Sequence, residues 1–120
     1  MTLVGIGLDN DGSKLFAELF KNNKVLKYVN FAANNIGDQG VISITNGLID
    51  NCSLRALGLE QNPITDNSVP VLKDLLKKCP IGIDIFDTQI SEDNPDEEFY
   101  KLYNDSSRYD FDVGSFSFAH

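Results

Sequence analysis

Nucleophilic catalysis needs an activating partner, and this chain offers almost none. Its only histidine is the terminal residue, His120. The serines therefore lack an imidazole to take their proton. Cys52 and Cys79 are the only thiols, with no C-x-x-C and no Cys/His pair, so a zinc site is not built. The expected reading is two reduced, buried thiols packing as small apolar groups, with a disulfide open to them in an oxidising compartment. Gly5-x-Gly7 lacks the remainder of any phosphate loop. Carboxylates are plentiful, but most lie in an acidic C-terminal stretch where solvent keeps them ordinary. The expectation is a non-enzyme without a cofactor.

One acidic spacing does bear on metal chemistry. Gly7-Leu8-Asp9-Asn10-Asp11-Gly12, with Glu18, places acids at positions 3, 5 and 12 and glycine at 6 of a calcium-loop register. This resembles part of an EF-hand. The resemblance implies a calcium-responsive module over residues 7–18 with Asp9, Asp11 and Glu18 as ligands. Against it, position 1 is Gly7, position 8 is Lys14, and the preceding stretch is strand-like. The competing reading is a turn with Asp11 or Ser13 capping a helix.

Charge and hydropathy exclude other classes. Formal net charge is −8, and from Glu92 onward eight acids oppose only Lys101 and Arg108. Nucleic-acid binding needs a basic face to displace phosphate counterions, which this chain lacks. Lys73, Lys77 and Lys78 cluster, but read as a solvated helix face with cations near the negative end of the dipole. No apolar run approaches the roughly 20 residues of a membrane span. The N-terminus has no basic n-region and too short an apolar stretch for a signal peptide, so a cytoplasmic location is expected. The sequons Asn51-Cys52-Ser53 and Asn104-Asp105-Ser106 are then chance matches.

The elements that would position any of these residues come from a repeat. Leu26-x-x-Val29-x-Phe31-x-x-Asn34-x-Ile36-x-Asp38 recurs as Leu54-x-x-Leu57-x-Leu59-x-x-Asn62-x-Ile64-x-Asp66, 28 residues on at every marked position. Leu57 and Leu59 alternate with Ala56, Gly58 and Glu60, the period of a half-buried strand. Asn62-Pro63 breaks it. Asp66 or Ser68 then caps a helix with Pro70 in its first turn and Val69, Leu72, Leu75 and Leu76 on one face, ending at Pro80. The earlier copy predicts the same: strand around Val29 and Phe31, turn at Asn34-Asn35, cap at Asp38, helix stripe Val41, Ile44, Leu48 and Ile49. Gly47 weakens that helix by about 1 kcal/mol relative to Ala.

Partial copies flank the pair. Leu3-x-x-Ile6-x-Leu8 predicts a strand followed directly by a helix from about Ser13. Ile83-x-Ile85-x-x-Thr88-x-Ile90-x-Glu92 repeats the strand and turn, with Thr88 in place of asparagine, and a short acidic helix follows. One hydroxyl does less than an amide, so this turn should be looser. Tyr109-x-Phe111-x-Val113-Gly114-Ser115-Phe116-x-Phe118 alternates aromatics about a turn and suits a terminal cap.

The two intact copies resemble leucine-rich repeats, and the 28-residue unit with a true helix resembles the ribonuclease-inhibitor-like subtype. Cys52-Ser53-Leu54 is similar to the lead-in common there. The resemblance implies an α/β fold: a short solenoid of about four parallel strands backed by helices over 1–92, with an aromatic, acidic cap or tail over 93–120. It also implies a protein–protein interaction module. The strand residues that point away from the core would form a concave face, with Tyr28, Asn30, Arg55, Glu60, Gln61, Asp84 and Phe86 as its larger contact groups. The first strand would be an open edge, able to pair with a partner or with a second copy. Alternatives are the calcium module, a GTPase- or actin-regulating repeat fragment, and a self-associating structural fragment. The partner's identity does not follow from these residues.

Overall fold

The computed structural model describes residues 1–109. Three short strands, β1 (Tyr28–Asn30), β2 (Ala56–Gly58) and β3 (Gly82–Asp84), pair in parallel in that order. Their register aligns Val29, Leu57 and Ile83, three positions of the repeat. Each strand leads to a helix behind the sheet: α2 (Asp38–Leu48) after β1, and α3 (Val69–Lys78) after β2. α1 (Asn10–Asn22) precedes β1, and α4 (Glu97–Tyr103) follows β3.

The expected first strand is reduced to a single bridge from Thr2 to Asn30. Leu3 donates to the Asn30 carbonyl at 2.8 Å and Gly5 to that of Ala32 at 3.1 Å. Gly5 and Gly7 then take positive φ, +64° and +76°, turning the chain into α1 before a strand can extend. Ala33, Gln61 and Asp87 hold the same left-handed conformation as Gly5, one per unit. That conformation costs about 1 kcal/mol in a non-glycine residue, so the stacked units must hold it in place.

α1 begins earlier than Ser13. Asp9 is the cap, accepting from the Gly12 N–H at 2.9 Å, while Ser13 turns inward and donates to the Asp9 carbonyl. The other helix starts are held from the unit upstream. Asn10 Oδ1 accepts from the Gly37 and Gly40 amides at 2.8 and 2.9 Å, and the cap residue Gly37 has no side chain to do so. Asp38 accepts from the Thr65 amide and the Ser68 hydroxyl at 2.9 and 2.6 Å. Asp66 accepts from the Ser91 amide at 2.8 Å. Residues 10, 38 and 66 are each 28 apart. Asp38 and Asp66 thus bind forward to the next unit instead of capping their own helix. Burial raises the Asp38 pKa, but the bonds from Ser68 and Thr65 outweigh it and hold the carboxyl below its ordinary value.

Asparagines seal the turns. The Asn34 amide donates to the carbonyls of Leu3, Phe31 and Ala32, and its oxygen accepts from the Ile6 and Leu8 amides at 3.0 Å. Asn62 binds the Phe31, Leu59 and Glu60 carbonyls and the Ile36 amide. Each therefore ties its own unit to the one before. Thr88 reaches only the Ile85 carbonyl at 2.7 Å and the Ile90 amide at 3.4 Å, both in its own turn.

A single core runs behind the sheet. Val29, Leu57 and Ile83 are fully buried, as are Phe31, Ile36, Leu59 and Ile64 one layer on. Phe99 of α4 is buried in the same cluster. Gly47 has a packing reason: a Cβ there would lie 2.4 Å from the Ala17 carbonyl oxygen of α1. The lysine cluster of α3 is paired, Lys73 with Asp96 at 2.8 Å and Lys77 with Glu98 at 2.7 Å. Cys52 and Cys79 are not free thiols but a disulfide joining the ends of successive units. Their Cα atoms, 5.2 Å apart, lie within bridging range because the repeat stacks residues about 28 apart. The alternating aromatics after Tyr109, expected as a cap, lie outside the described residues.

Candidate functional site

The concave-face residues do not form one open surface. On β1, Tyr28 and Asn30 are half-buried, and the Tyr28 hydroxyl lies 2.6 Å from that of Thr2. On β2 and β3, Ala56, Gly58, Gly82 and Asp84 are all buried. Part of the cover is the chain after α4: a Cβ on Gly82 would lie 2.8 Å from both the Arg108 carbonyl and the Tyr109 ring. Arg108 is held there by its guanidinium, which donates to the carbonyls of Leu76, Cys79 and Ile81. The Tyr109 hydroxyl donates to the Tyr103 carbonyl at 2.6 Å. Asp84, expected as a contact group, is therefore covered. Arg55 turns back to the Cys52 carbonyl, while Gln61 and Phe86 are exposed at the strand ends.

A buried acid pair lies on this face. Gly58 leaves a gap into which Asn30 Oδ1 and Glu60 Oε1 project, 2.6 and 2.9 Å from where a Cβ would stand. Burial pushes the Glu60 carboxyl up to about 8, and the Asp84 carboxyl beside it adds to the shift by hydrogen bond and by charge. So raised, the Glu60 carboxyl keeps its proton at neutral pH. Glu60 Oε1 is buried with no hydrogen-bond partner among the described residues. A neutral acid tolerates this better than a carboxylate does.

The three acids of the calcium register are not brought together. Asp9 is spent on the α1 cap. Asp11 and Glu18 both lie in α1, about 10 Å apart along its axis. They face Lys14 and Lys21 at 3.8 and 2.9 Å. A calcium loop wraps one centre, whereas a helix started at residue 10 separates the ligands. Among the described residues no group of three His, Cys, Asp or Glu side chains is placed to hold a metal.

Val4 and Ile6 are exposed in the turn before α1, and Leu15 and Leu19 on α1 are 75% and 43% exposed. Leu19 is the counterpart, 28 residues back, of Gly47, which packs on the α1 backbone, and of Leu75, which is fully buried. A position that is buried in α2 and α3 is thus presented to solvent here.

At the opposite end, the turn after β3 and α4 border an open groove of about 480 Å³. Phe86, Tyr100 and Tyr103 line it with rings, and Asp87 and Glu92 with carboxylates. Tyr100 and Tyr103 were not among the expected site residues. A short acidic helix offers no motif for a groove; its tyrosines matter only because Phe99 anchors α4 against α3. Asn10 and Asn51 were also missed. Asn51 is buried and binds the Phe20 and Asn23 carbonyls at 2.8 and 2.7 Å, so it is a structural amide. The 28-residue step from Asn10 to Asp38 was the available signal for the former.

Among the described residues, no helix is long and apolar enough to cross a membrane. No curated protein matches the chain. A family model described as Leucine Rich repeat matches residues 22–44, the stretch that holds β1, Asn34 and the start of α2. With the bonded 28-residue ladder around it, that match supports a leucine-rich repeat protein.

Proposed function

We propose that this chain is a non-catalytic protein–protein interaction module, a short leucine-rich solenoid similar to the ribonuclease-inhibitor-like subtype. We further propose that its partner docks at the N-terminal edge and not across the whole concave face. The observation that carries this is Leu19. Its counterparts in α2 and α3, Gly47 and Leu75, are buried, yet it stands 43% exposed, and Leu15, Val4 and Ile6 are exposed in the same N-terminal segment. Burying such side chains contributes about 1.5–3 kcal/mol each, enough for a handful to anchor an interface. Tyr28 and Asn30 adjoin this edge and would extend it; Asp84 would not.

The test is site-directed photocrosslinking. A benzophenone amino acid is placed at Leu15 or Val4, and separately at Tyr28 or Gln61, in the full chain in its native cells. The expected result is a discrete protein adduct from Leu15 and Val4. Adducts only from Tyr28 and Gln61 would move the site to the concave face. Silence at all four would remove the interaction reading. Light scattering of the pure protein separates a foreign partner from a second copy, since only self-association makes the mass rise with concentration.

The disulfide bears on the compartment. Such bonds persist in oxidising surroundings and are rare in the cytosol. A cytoplasmic protein should yield two titratable thiols when isolated under rapid alkylation; a protein of an oxidising compartment should yield none.

A further inference from the structure

The groove at the C-terminal end has a chemistry that the N-terminal edge lacks. Its lining combines aliphatic carbon from Ile85 and Ile90, aromatic rings, and the carboxylates of Asp87 and Glu92. No basic residue among the described ones lines it. Both acids are exposed, so they carry charge into solvent at the rim. Tyr100 is raised above its ordinary pKa by burial first and then by Asp66, Glu92 and Asp93, which marks a local negative field.

Of the cations at this end, Lys101 is exposed on α4 and does not line the groove, while the others are committed. Lys73 bonds Asp96 at 2.8 Å, and Lys77 bonds Glu98 at 2.7 Å. The Arg108 guanidinium is spent on backbone carbonyls. The negative charge of Asp87 and Glu92 is therefore left for a ligand to meet. A guanidinium suits this lining better than an ammonium. It stacks flat on aromatic faces, is weakly hydrated, and forms paired bonds to carboxylates. Its methylene stem packs on apolar carbon while the head stays at the rim. At about 480 Å³ the groove falls in the range of small-ligand sites and exceeds the need of one side chain. The occupant it fits is therefore a length of peptide and not a free cation.

We propose that this groove binds an arginine-bearing peptide segment of a partner protein, with the arginine stem against Phe86, Tyr100 and Tyr103 and its head paired with Asp87 and Glu92. This extends the interaction-module reading to a second surface and rests on that reading only in taking the ligand to be a protein segment.

The test is fluorescence anisotropy at low ionic strength with the full-length protein. The probe is a fluorescein-labelled peptide, Gly-Leu-Arg-Leu-Gly, set against the same peptide with Glu for Arg. Unlabelled arginine methyl ester serves as the free-cation competitor. The arginine peptide should bind about tenfold more tightly than the glutamate peptide, and added salt should weaken it. The double variant D87N/E92Q should weaken it about tenfold, with an unchanged melting temperature because both positions are exposed. Y100A should weaken it as well. Equal affinity for the two peptides overturns the proposal, as does indifference to D87N/E92Q or no binding at all. Competition by arginine methyl ester at the peptide's own affinity would make this a free-cation site and also overturn it. L15K/L19K, which disrupts the N-terminal edge, should leave peptide binding intact. The two surfaces therefore fail or stand separately.

Discussion

The side-chain amide of Asn62 donates to the carbonyl of Phe31, one unit upstream, at 3.0 Å. With its oxygen on the Ile36 amide and further bonds to Leu59 and Glu60, this one residue ties two successive units together. Asn62 is almost wholly buried, so water cannot replace it. N62A should destabilise the fold by about 3 kcal/mol, because it orphans buried backbone groups. Urea denaturation monitored by circular dichroism reads this directly. The reverse change, T88N, should stabilise by about 1 kcal/mol if the last turn can reach back in the same way.

The Cys52–Cys79 bond closes a 27-residue separation along the chain. On the chain-entropy account, the double variant C52A/C79A should lose about 3.5 kcal/mol of stability. Reduction of the wild type should produce the same fall. A double variant as stable as the oxidised wild type would mean that the stacked units alone bring these ends together.

Glu60 makes stability depend on pH with a defined sign. Its folded pKa, about 8, lies above its ordinary 4.5, so the folded chain holds this proton more tightly than the unfolded chain. Stability is therefore fully present below about pH 4.5 and declines as pH rises through about 8. E60Q should abolish the decline and melt higher than wild type above about pH 8. Asp38, held below its ordinary value, acts oppositely and costs stability only as pH falls through its folded pKa. Thermal melts of wild type, E60Q and D38N across the pH range separate the two.

Gly47 sets two effects against each other. Alanine favours a helix interior by about 1 kcal/mol over glycine. Its Cβ, however, would stand 2.4 Å from the Ala17 carbonyl, a backbone atom that moves only with α1. Overpacking of that kind costs about 3 kcal/mol. G47A should therefore destabilise by about 2 kcal/mol. A stabilised G47A would show that α1 and α2 can slide apart freely.

The regular part of this fold was legible because each signature residue acts locally. Leu57 and Leu59 alternate because a strand alternates, and Pro80 ends a helix because its ring cannot continue one. Asn34 and Asn62 fall where the strand carbonyls lose partners, so their role followed from their position. The roles of Asp38 and Asp66 were not legible in the same way. An aspartate before a helix reads as a cap for that helix, yet both serve the next unit, a distance that only stacking sets. The calcium register failed for a related reason. A capped helix starting at Asn10 separates Asp11 from Glu18, whatever their spacing in a loop.

The concave face shows the same boundary between near and far. Alternation placed Tyr28, Asn30, Glu60 and Asp84 on one side of the sheet. It could not reveal that Arg108 and Tyr109 return over β3, or that Gly58 opens a gap where acids meet. Nor could it reveal the bond between Cys52 and Cys79. By itself the sequence determined the period, the three paired strands, the helix stripes and the asparagine turns, all of which rest on contacts within a few residues or one repeat. The tertiary structure alone decided which faces stay open, because burial depends on segments distant in the chain. Among the described residues those exposed faces include the Leu15–Leu19 stretch and the Tyr100 groove.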